Sequence, residues 1–279
     1  MSQDRKRKNK NYYVQSKKPK NEFNLDSGMK GFFITCNYKE SRAVTEAYKI
    51  LNEYADNIYG PTEVDQKSVK DQFGEEDIDA SLSNHVNSYK NKSLCERRFQ
   101  NVCTKTNNCI FIKTSFENPN EIIEKIFSDA QLRLVQSRFV LRFLPVLGTC
   151  RVAEDKLEKL AEDVIEDYSK LNKIESSFKY CIIHKIRCNN KLNKEIILSV
   201  MNRAVKRKFP DAKIDLNEPD IVFSVDILLK VCCLSVLKKF NEFKKYNLFE
   251  ISNGKNGAPK INEPHGSVDE HDARVCLQT

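Results

Sequence analysis

The chain has 279 residues with a formal net charge of +8, and it is 40% hydrophobic against 31% charged, so it can build cores although it is more polar than average. No apolar run approaches the roughly 18 residues that a membrane span needs, which excludes a transmembrane protein. The N-terminus lacks the apolar stretch of a secretory signal, so we expect a protein that stays inside the cell with its ten cysteines mostly reduced.

Segments at both ends of the chain have the composition of disordered tails. Residues 1–27 are rich in Lys, Asn and Ser, and they cannot bury enough apolar surface to offset the entropy lost on ordering. Residues 252–279 contain Pro and Gly without an apolar period and are predicted to form a second tail. The remaining 224 residues are enough for two small domains.

The first predicted domain covers residues 28–130 and has a strand–helix–strand–strand–helix order. Its predicted elements are a strand at 31–36, a helix from about Glu40 to Gly60-Pro61, a modest helix at 78–89, strands at 98–103 and 109–113, and a helix at 119–134. The acidic residues 61–77 are predicted to form a loop. Strands and helices that follow each other in this way indicate an α+β domain.

The second predicted domain covers residues 131–251, where strands and helices alternate again. Its predicted elements are a strand around 139–143, a Pro- and Gly-containing turn at 144–151, a helix at 157–171, a strand at 178–188, a helix at 196–205, strands at 221–229 and 231–237, and a segment of helix and coil at 240–251. This alternation predicts an α/β sandwich.

No motif of a common catalytic or metal site is present. The sequence lacks the glycine-rich nucleotide loops, the G-x-S-x-G elbow and the H-E-x-x-H helix. His85, His184, His265 and His271 are scattered, and His184 is predicted to be a core or edge residue of its strand. No C-x-x-C occurs, so we interpret the cysteines as small buried hydrophobic residues rather than as metal ligands or a thiolate nucleophile.

The positive charge is concentrated in two places, with a net +5 in residues 1–27 and a net +6 in residues 138–251. Such asymmetry is typical of a polyanionic partner, most often a nucleic acid, although a Lys-rich composition arising from codon bias is the alternative. In the strand at 178–188, Lys179, Lys185 and Arg187 share one parity and the apolar residues share the other. We therefore expect one face of this strand to pack and the opposite face to be cationic.

These residues resemble a known family over the whole predicted ordered part. The segments that carry the resemblance are 31–37 (GFFITCN), 47–54 (AYKILNEY), 97–100 (RRFQ), 141–151 (LRFLPVLGTCR), 185–190 (KIRCNN), 231–236 (VCCLSV) and 243–248 (FKKYNL). In this order they are similar to the THUMP-domain proteins that partner the tRNA cytidine acetyltransferase.

The resemblance implies an N-terminal ferredoxin-like domain beside a THUMP domain, with no catalytic residues and no cofactor of its own. It implies a tRNA-binding adaptor that presents leucine and serine tRNAs to an RNA cytidine acetyltransferase, which uses acetyl-CoA and ATP to form N4-acetylcytidine in the D-arm. It also implies a location in the nucleus, in particular the nucleolus, with the cytoplasm as a further location.

Basic and amide side chains in the second half are the candidate RNA contacts, because Arg and Lys bind phosphates and Asn can read base edges or ribose hydroxyls. The candidates are Arg142, Arg151, Lys179, Lys185, Arg187, Asn189, Asn190, Lys191, Lys206, Arg207 and Lys208. Three alternatives stay open at this point. They are a THUMP protein that serves a methylating or thiolating enzyme, a stand-alone enzyme that uses a cysteine, and a module that binds only proteins.

Overall fold

The computed structural model describes residues 23–61, 97–172, 174 and 177–253. In chain order its elements are β1 (Gly31–Cys36), α1 (Glu40–Tyr59), β2 (Phe99–Val102), β3 (Cys109–Thr114), α2 (Pro119–Gln131), β4 (Val140–Val146), β5 (Gly148–Arg151), α3 (Glu154–Leu171), β6 (Lys179–Arg187), α4 (Lys194–Lys208), β7 (Lys213–Ile214), β8 (Ile221–Leu228), β9 (Val231–Lys238), a 3-10 turn (Lys244–Tyr246) and α5 (Leu248–Asn253). Most of both predicted tails, nearly all of the predicted 61–77 loop and the predicted helix at 78–89 lie outside the described residues.

The first sheet has the strand order β2-β3-β1-β4, and all neighbouring strands in it are antiparallel. The predictions of β1, α1, β2, β3 and α2 are confirmed. α1 ends at Tyr59 because Gly60 takes the left-handed backbone, with a φ of 79°, that only glycine adopts without strain. α2 ends at Gln131, earlier than predicted, and Arg133 beyond it has a φ of 60°.

β4 pairs with β1 and completes the first sheet. Val140 lies opposite Cys36, and Val146 lies opposite Gly31. This strand lies after residue 131, within the range predicted for the second domain. The alternation of residues within a strand predicts its faces but not its neighbour, so this pairing has no local sequence signal.

The second sheet has the order β5-β9-β8-β6-β7 and is mixed. β6 runs parallel to β7 and β8, whereas β9 is antiparallel to β5 and β8. α3 and α4 pack on one face of it, around a core that includes Leu157, Ile197 and Phe223. The prediction of alternating strands and helices in this half is confirmed, and the two-residue strand β7 is an addition to it. The predicted turn at 144–151 is wrong, because residues 144–146 continue β4 and Gly148–Arg151 form β5.

One extended run joins the two sheets. β4 belongs to the first sheet and β5 to the second, and between them the Leu147 N–H donates to the Leu234 carbonyl at 2.9 Å. The other face of the second sheet contributes Val222, Leu237 and further residues to the core that also contains Phe33 of β1. β8 is buried along its whole length because both of its faces are covered, and its residues are apolar apart from Ser224 and Asp226. No helix in the described part of the chain is long and apolar enough to cross a membrane.

Gly31 stands where the first sheet leaves no room for a side chain. A Cβ at this position would lie 2.2 Å from the Ile112 carbonyl oxygen of the neighbouring strand. Because backbone cannot move aside as a side chain can, we expect Gly31→Ala to lower the free energy of unfolding by about 2 kcal/mol or more. Urea denaturation monitored by circular dichroism measures this loss.

Gly148→Ala is the matched control for this prediction. Its Cβ would lie 2.7 Å from Cδ1 of Leu160, a side-chain atom that can rotate away. Gly148→Ala should therefore cost less than Gly31→Ala, and an equal cost for both variants would contradict the prediction.

Candidate nucleic-acid interface

The candidate RNA-binding residues of β6 and α4 fall at two opposite ends of the second sheet. Lys179 begins β6, whereas Lys185 and Arg187 lie toward its C-terminal end, and the nine residues of β6 span roughly 26 Å. α4 returns the chain to the starting end, because the Lys206 ammonium donates to the Ala212 carbonyl at 2.5 Å, just before β7. β7 in turn pairs with Lys179. Lys206, Arg207 and Lys208 therefore lie at the end opposite Lys185.

Carboxylates balance the charges at the Lys179 end. The Lys179 Nζ lies 2.9 Å from Oδ2 of Asp215, which raises the pKa of the lysine. The Arg207 guanidinium pairs with Glu158 and Glu162 of α3. These cations make intramolecular pairs that an RNA phosphate would have to compete with.

Arg187 lies between the two sheets rather than on an open surface. Its side chain is 16% exposed, and its Nη1 lies 2.7 Å from Oδ1 of Asp226 on β8. The Ser224 hydroxyl donates to the other Asp226 oxygen at 3.1 Å, and the guanidinium lies 5.1 Å from the centroid of the Phe33 ring of β1. The expectation of an open cationic face on β6 is therefore wrong at Arg187, because that face of the strand turns toward the first sheet.

Arg142 and Lys185 are exposed and close enough to influence each other. Arg142 lies on β4, where its N–H donates to the Thr35 hydroxyl at 3.2 Å. Burial lowers the pKa of Lys185, and the charges of Arg187 and Arg142 lower it further, while Asp226 opposes them. Crowded positive charge of this kind favours an anion, because a bound phosphate relieves the repulsion.

The loop after β6 adds two exposed side chains, Asn190 and Lys191, at the C-terminal end of the strand that carries Lys185. Asn189 shapes the loop, because its side-chain amide donates to the Leu229 carbonyl and its Oδ1 accepts the Lys191 N–H at 2.7 Å. The Asn189 amide predicted to read RNA thus bonds to the backbone. We call Arg142, Lys185, Asn190 and Lys191 the basic cluster.

Arg151 lies apart from Arg142, because the two residues stand toward opposite ends of the β4–β5 run. Strand pairing aligns Arg151 of β5 with Val231 of β9, Leu228 of β8 and Arg187 of β6, in one row across the second sheet. Three strand spacings separate the ends of this row, which is about 14 Å. The Arg151 side chain is exposed and lies 3.5 Å from Oδ1 of Asp26.

Two cations that the sequence analysis missed lie near the start of β4. Lys39 Nζ and Arg42 Cζ lie 5.8 Å and 5.6 Å from the centroid of the Phe139 ring. Both side chains are exposed at the start of α1. No local sequence pattern links them to Arg142, because about a hundred residues lie between them and only the pairing of β1 with β4 brings them close.

Most of the described cysteines show the burial expected of small hydrophobic residues, whereas Cys103 is half-buried and Cys188 is exposed. Among the described residues the buried ones are Cys36, Cys109, Cys150, Cys181, Cys232 and Cys233. Burial raises the pKa of Cys36 to about 11 and also raises the pKa of Cys109 and Cys233, which opposes a reactive thiolate. His184 is half-buried in β6, and no group of three His, Cys, Asp or Glu in the described ranges could hold a metal ion.

Comparison with known proteins adds the family to this geometry. The THUMP domain model matches residues 152–237. THUMP domain-containing protein 1 of Bos taurus is 34% identical over 256 residues, which covers 88% of this chain and 71% of that protein. The chain belongs to the family of THUMP domain-containing protein 1. The Homo sapiens relative is 33% identical over 94% of this chain and 76% of its own length, and the Drosophila melanogaster homolog is 30% identical over 88% and 79%.

Two solved structures overlap part of the chain. PH1313 from Pyrococcus horikoshii Ot3 has a TM-score of 0.41 at 13% identity and covers 75% of this chain and 55% of its own. A 4-thiouridine synthetase solved with RNA and ATP has a TM-score of 0.37 at 9% identity and covers 75% and 42%.

The THUMP range begins just after β5 and ends within β9. Lys185, Asn190 and Lys191 therefore belong to the THUMP domain, whereas Arg142 lies on the strand before it. The basic cluster is thus built from the THUMP domain and the first sheet together.

Proposed function

We propose that this protein is a tRNA-binding adaptor without catalytic residues, which presents leucine and serine tRNAs to an RNA cytidine acetyltransferase for N4-acetylcytidine formation in the D-arm. The observation that carries the RNA-binding part is the basic cluster, where Arg142 and Lys185 are both exposed and where burial, followed by the charges of Arg187 and Arg142, lowers the pKa of Lys185. Exposed arginine and lysine side chains of this kind are the groups that contact RNA phosphates. The acetyl-CoA and ATP belong to the partner enzyme.

The architecture supports an adaptor because it fixes the spacing between two surfaces. The first sheet, which we assign to a ferredoxin-like domain from its strand order, shares a core with the THUMP domain. A surface that binds phosphates and recognises RNA by shape can hold a tRNA in one orientation. A second protein that binds the same two-sheet body would then be held at a fixed distance from the D-arm of the tRNA. We place this complex in the nucleus, in particular the nucleolus.

Reconstitution with purified components tests the proposal. The acetyltransferase, acetyl-CoA, ATP and leucine or serine tRNA are combined with and without this protein, and N4-acetylcytidine is measured by mass spectrometry of the digested tRNA. We expect acetylation only when both proteins are present. An Arg142→Glu variant should reduce it because it repels the tRNA phosphates.

Two outcomes would contradict the proposal in different ways. Acetylation that does not depend on this protein, together with tight tRNA binding, would indicate a THUMP protein that serves a methylating or thiolating enzyme. Failure of the wild-type protein to bind tRNA would reject RNA binding itself.

A further inference from the structure

Tyr38 is the most exposed large hydrophobic side chain in the described part of the chain, at 86%. It lies between β1 and α1 in left-handed backbone with a φ of 57°. Its N–H donates to Oδ1 of Asn108 at 3.1 Å, and the Asn108 N–H donates to the Glu40 carboxylate at 2.6 Å. The phenol ring therefore projects into solvent from a turn that hydrogen bonds hold in place.

Two exposed cations close to Tyr38 in the chain can contact phosphates. Lys39 and Arg42 follow Tyr38 and lie near the Phe139 ring. Two carboxylates also lie here, and both accept backbone N–H groups. Glu40 accepts from Asn108, and Glu46 accepts from Phe139 at 3.0 Å. The acidic groups are thus used in shaping the turns, while the two cations remain exposed.

Tyr38 also lies close to the basic cluster. Thr35 of β1 accepts the Arg142 N–H at 3.2 Å, and Tyr38 is three residues further along the chain. At the reach of an extended chain, this places Tyr38 within about 10 Å of Thr35. An RNA strand held by Arg142 and Lys185 can therefore reach the ring.

We propose that Tyr38 is a stacking platform for an unpaired nucleobase, with Lys39 and Arg42 binding the neighbouring phosphates. This inference rests on the proposed function and names one contact through which the protein would bind RNA. Single-stranded nucleic-acid sites combine an exposed aromatic ring with cations that follow the backbone, and the turn at Tyr38 supplies both. A base in a duplex presents no free face to such a ring, so the contact selects unpaired nucleotides.

Fluorescence anisotropy with the full chain tests this contact on two probes, a short single-stranded RNA and a blunt RNA duplex of the same length. We expect Tyr38→Ala to weaken binding of the single strand by about 5- to 150-fold and to leave duplex binding unchanged. Tyr38→Phe keeps the ring and should bind like the wild type. Leu171→Ala removes another exposed apolar side chain, which is 63% exposed, and should have no effect on either probe.

The salt dependence separates stacking from charge. Tyr38→Ala should keep the slope of log K against log salt, whereas Lys39→Ala should reduce it by about 0.7 for the lost phosphate contact. An equal loss on both probes, or wild-type affinity of Tyr38→Ala for the single strand, would overturn the platform. Loss of acetyltransferase capture with unchanged RNA affinity would overturn it in favour of a protein contact. If the wild type binds neither probe, the proposed function fails rather than this contact alone.

Discussion

Lys185→Glu is expected to weaken tRNA binding by about 10- to 150-fold, the effect of losing one hydrogen bond to a charged partner. Lys185 is exposed on β6, and the neighbouring Arg142 and Arg187 crowd it with positive charge. A glutamate at this position would remove a phosphate contact and add repulsion. Fluorescence anisotropy of labelled leucine tRNA over a series of salt concentrations measures both the affinity and the salt slope, which should fall by about 0.7–0.9.

Lys208→Glu is the matched control because it makes the same change of charge at the other end of the second sheet. Lys208 is the last residue of α4 and is exposed. If RNA lies on the basic cluster, the two variants should differ by about tenfold or more in affinity. Equal losses would show that only the net charge of the protein matters, and the assignment of the basic cluster would then be wrong.

Helices and strands with strong local signals lie where the sequence predicts them. α1 follows the apolar spacing from Glu40 onward, and Gly60 ends it, because both signals act within a few residues. β8 and β9 are predicted from their mostly apolar, β-branched sequences for the same reason. The family resemblance extended these predictions to a THUMP domain, which the comparison confirms for residues 152–237.

The candidate site was less accessible to sequence reasoning because its charges depend on partners far along the chain. Arg187 has the same parity as Lys185, yet Asp226 and Phe33 surround its guanidinium, and neither is near it in sequence. Asn189 likewise has the composition of a base-reading residue but bonds to Leu229. Strand alternation predicts which residues share a face, whereas the packing of one sheet on another decides which of them reach solvent.

Arg187→Met is expected to lower the free energy of unfolding by about 3–5 kcal/mol, because it leaves the Asp226 carboxylate buried without its charge partner. Asp226 is 5% exposed, and the Ser224 hydroxyl is its other close contact. Urea denaturation measures the loss from the midpoint and slope of the transition. Arg207→Met, which breaks an exposed pair with Glu158, should cost less than about 1 kcal/mol and serves as the control.

The double variant Arg187→Met with Asp226→Leu decides what the buried pair does. Replacing both members of a buried ion pair by apolar residues is often nearly neutral, so most of the stability should return. If Arg187 acts only by holding β6 and β8 against Phe33, tRNA affinity should return together with stability. If its guanidinium instead reaches the RNA, the double variant should be stable and still bind about tenfold or more weakly. A single variant that loses no more stability than Arg207→Met would contradict the stabilising role of the Arg187–Asp226 pair.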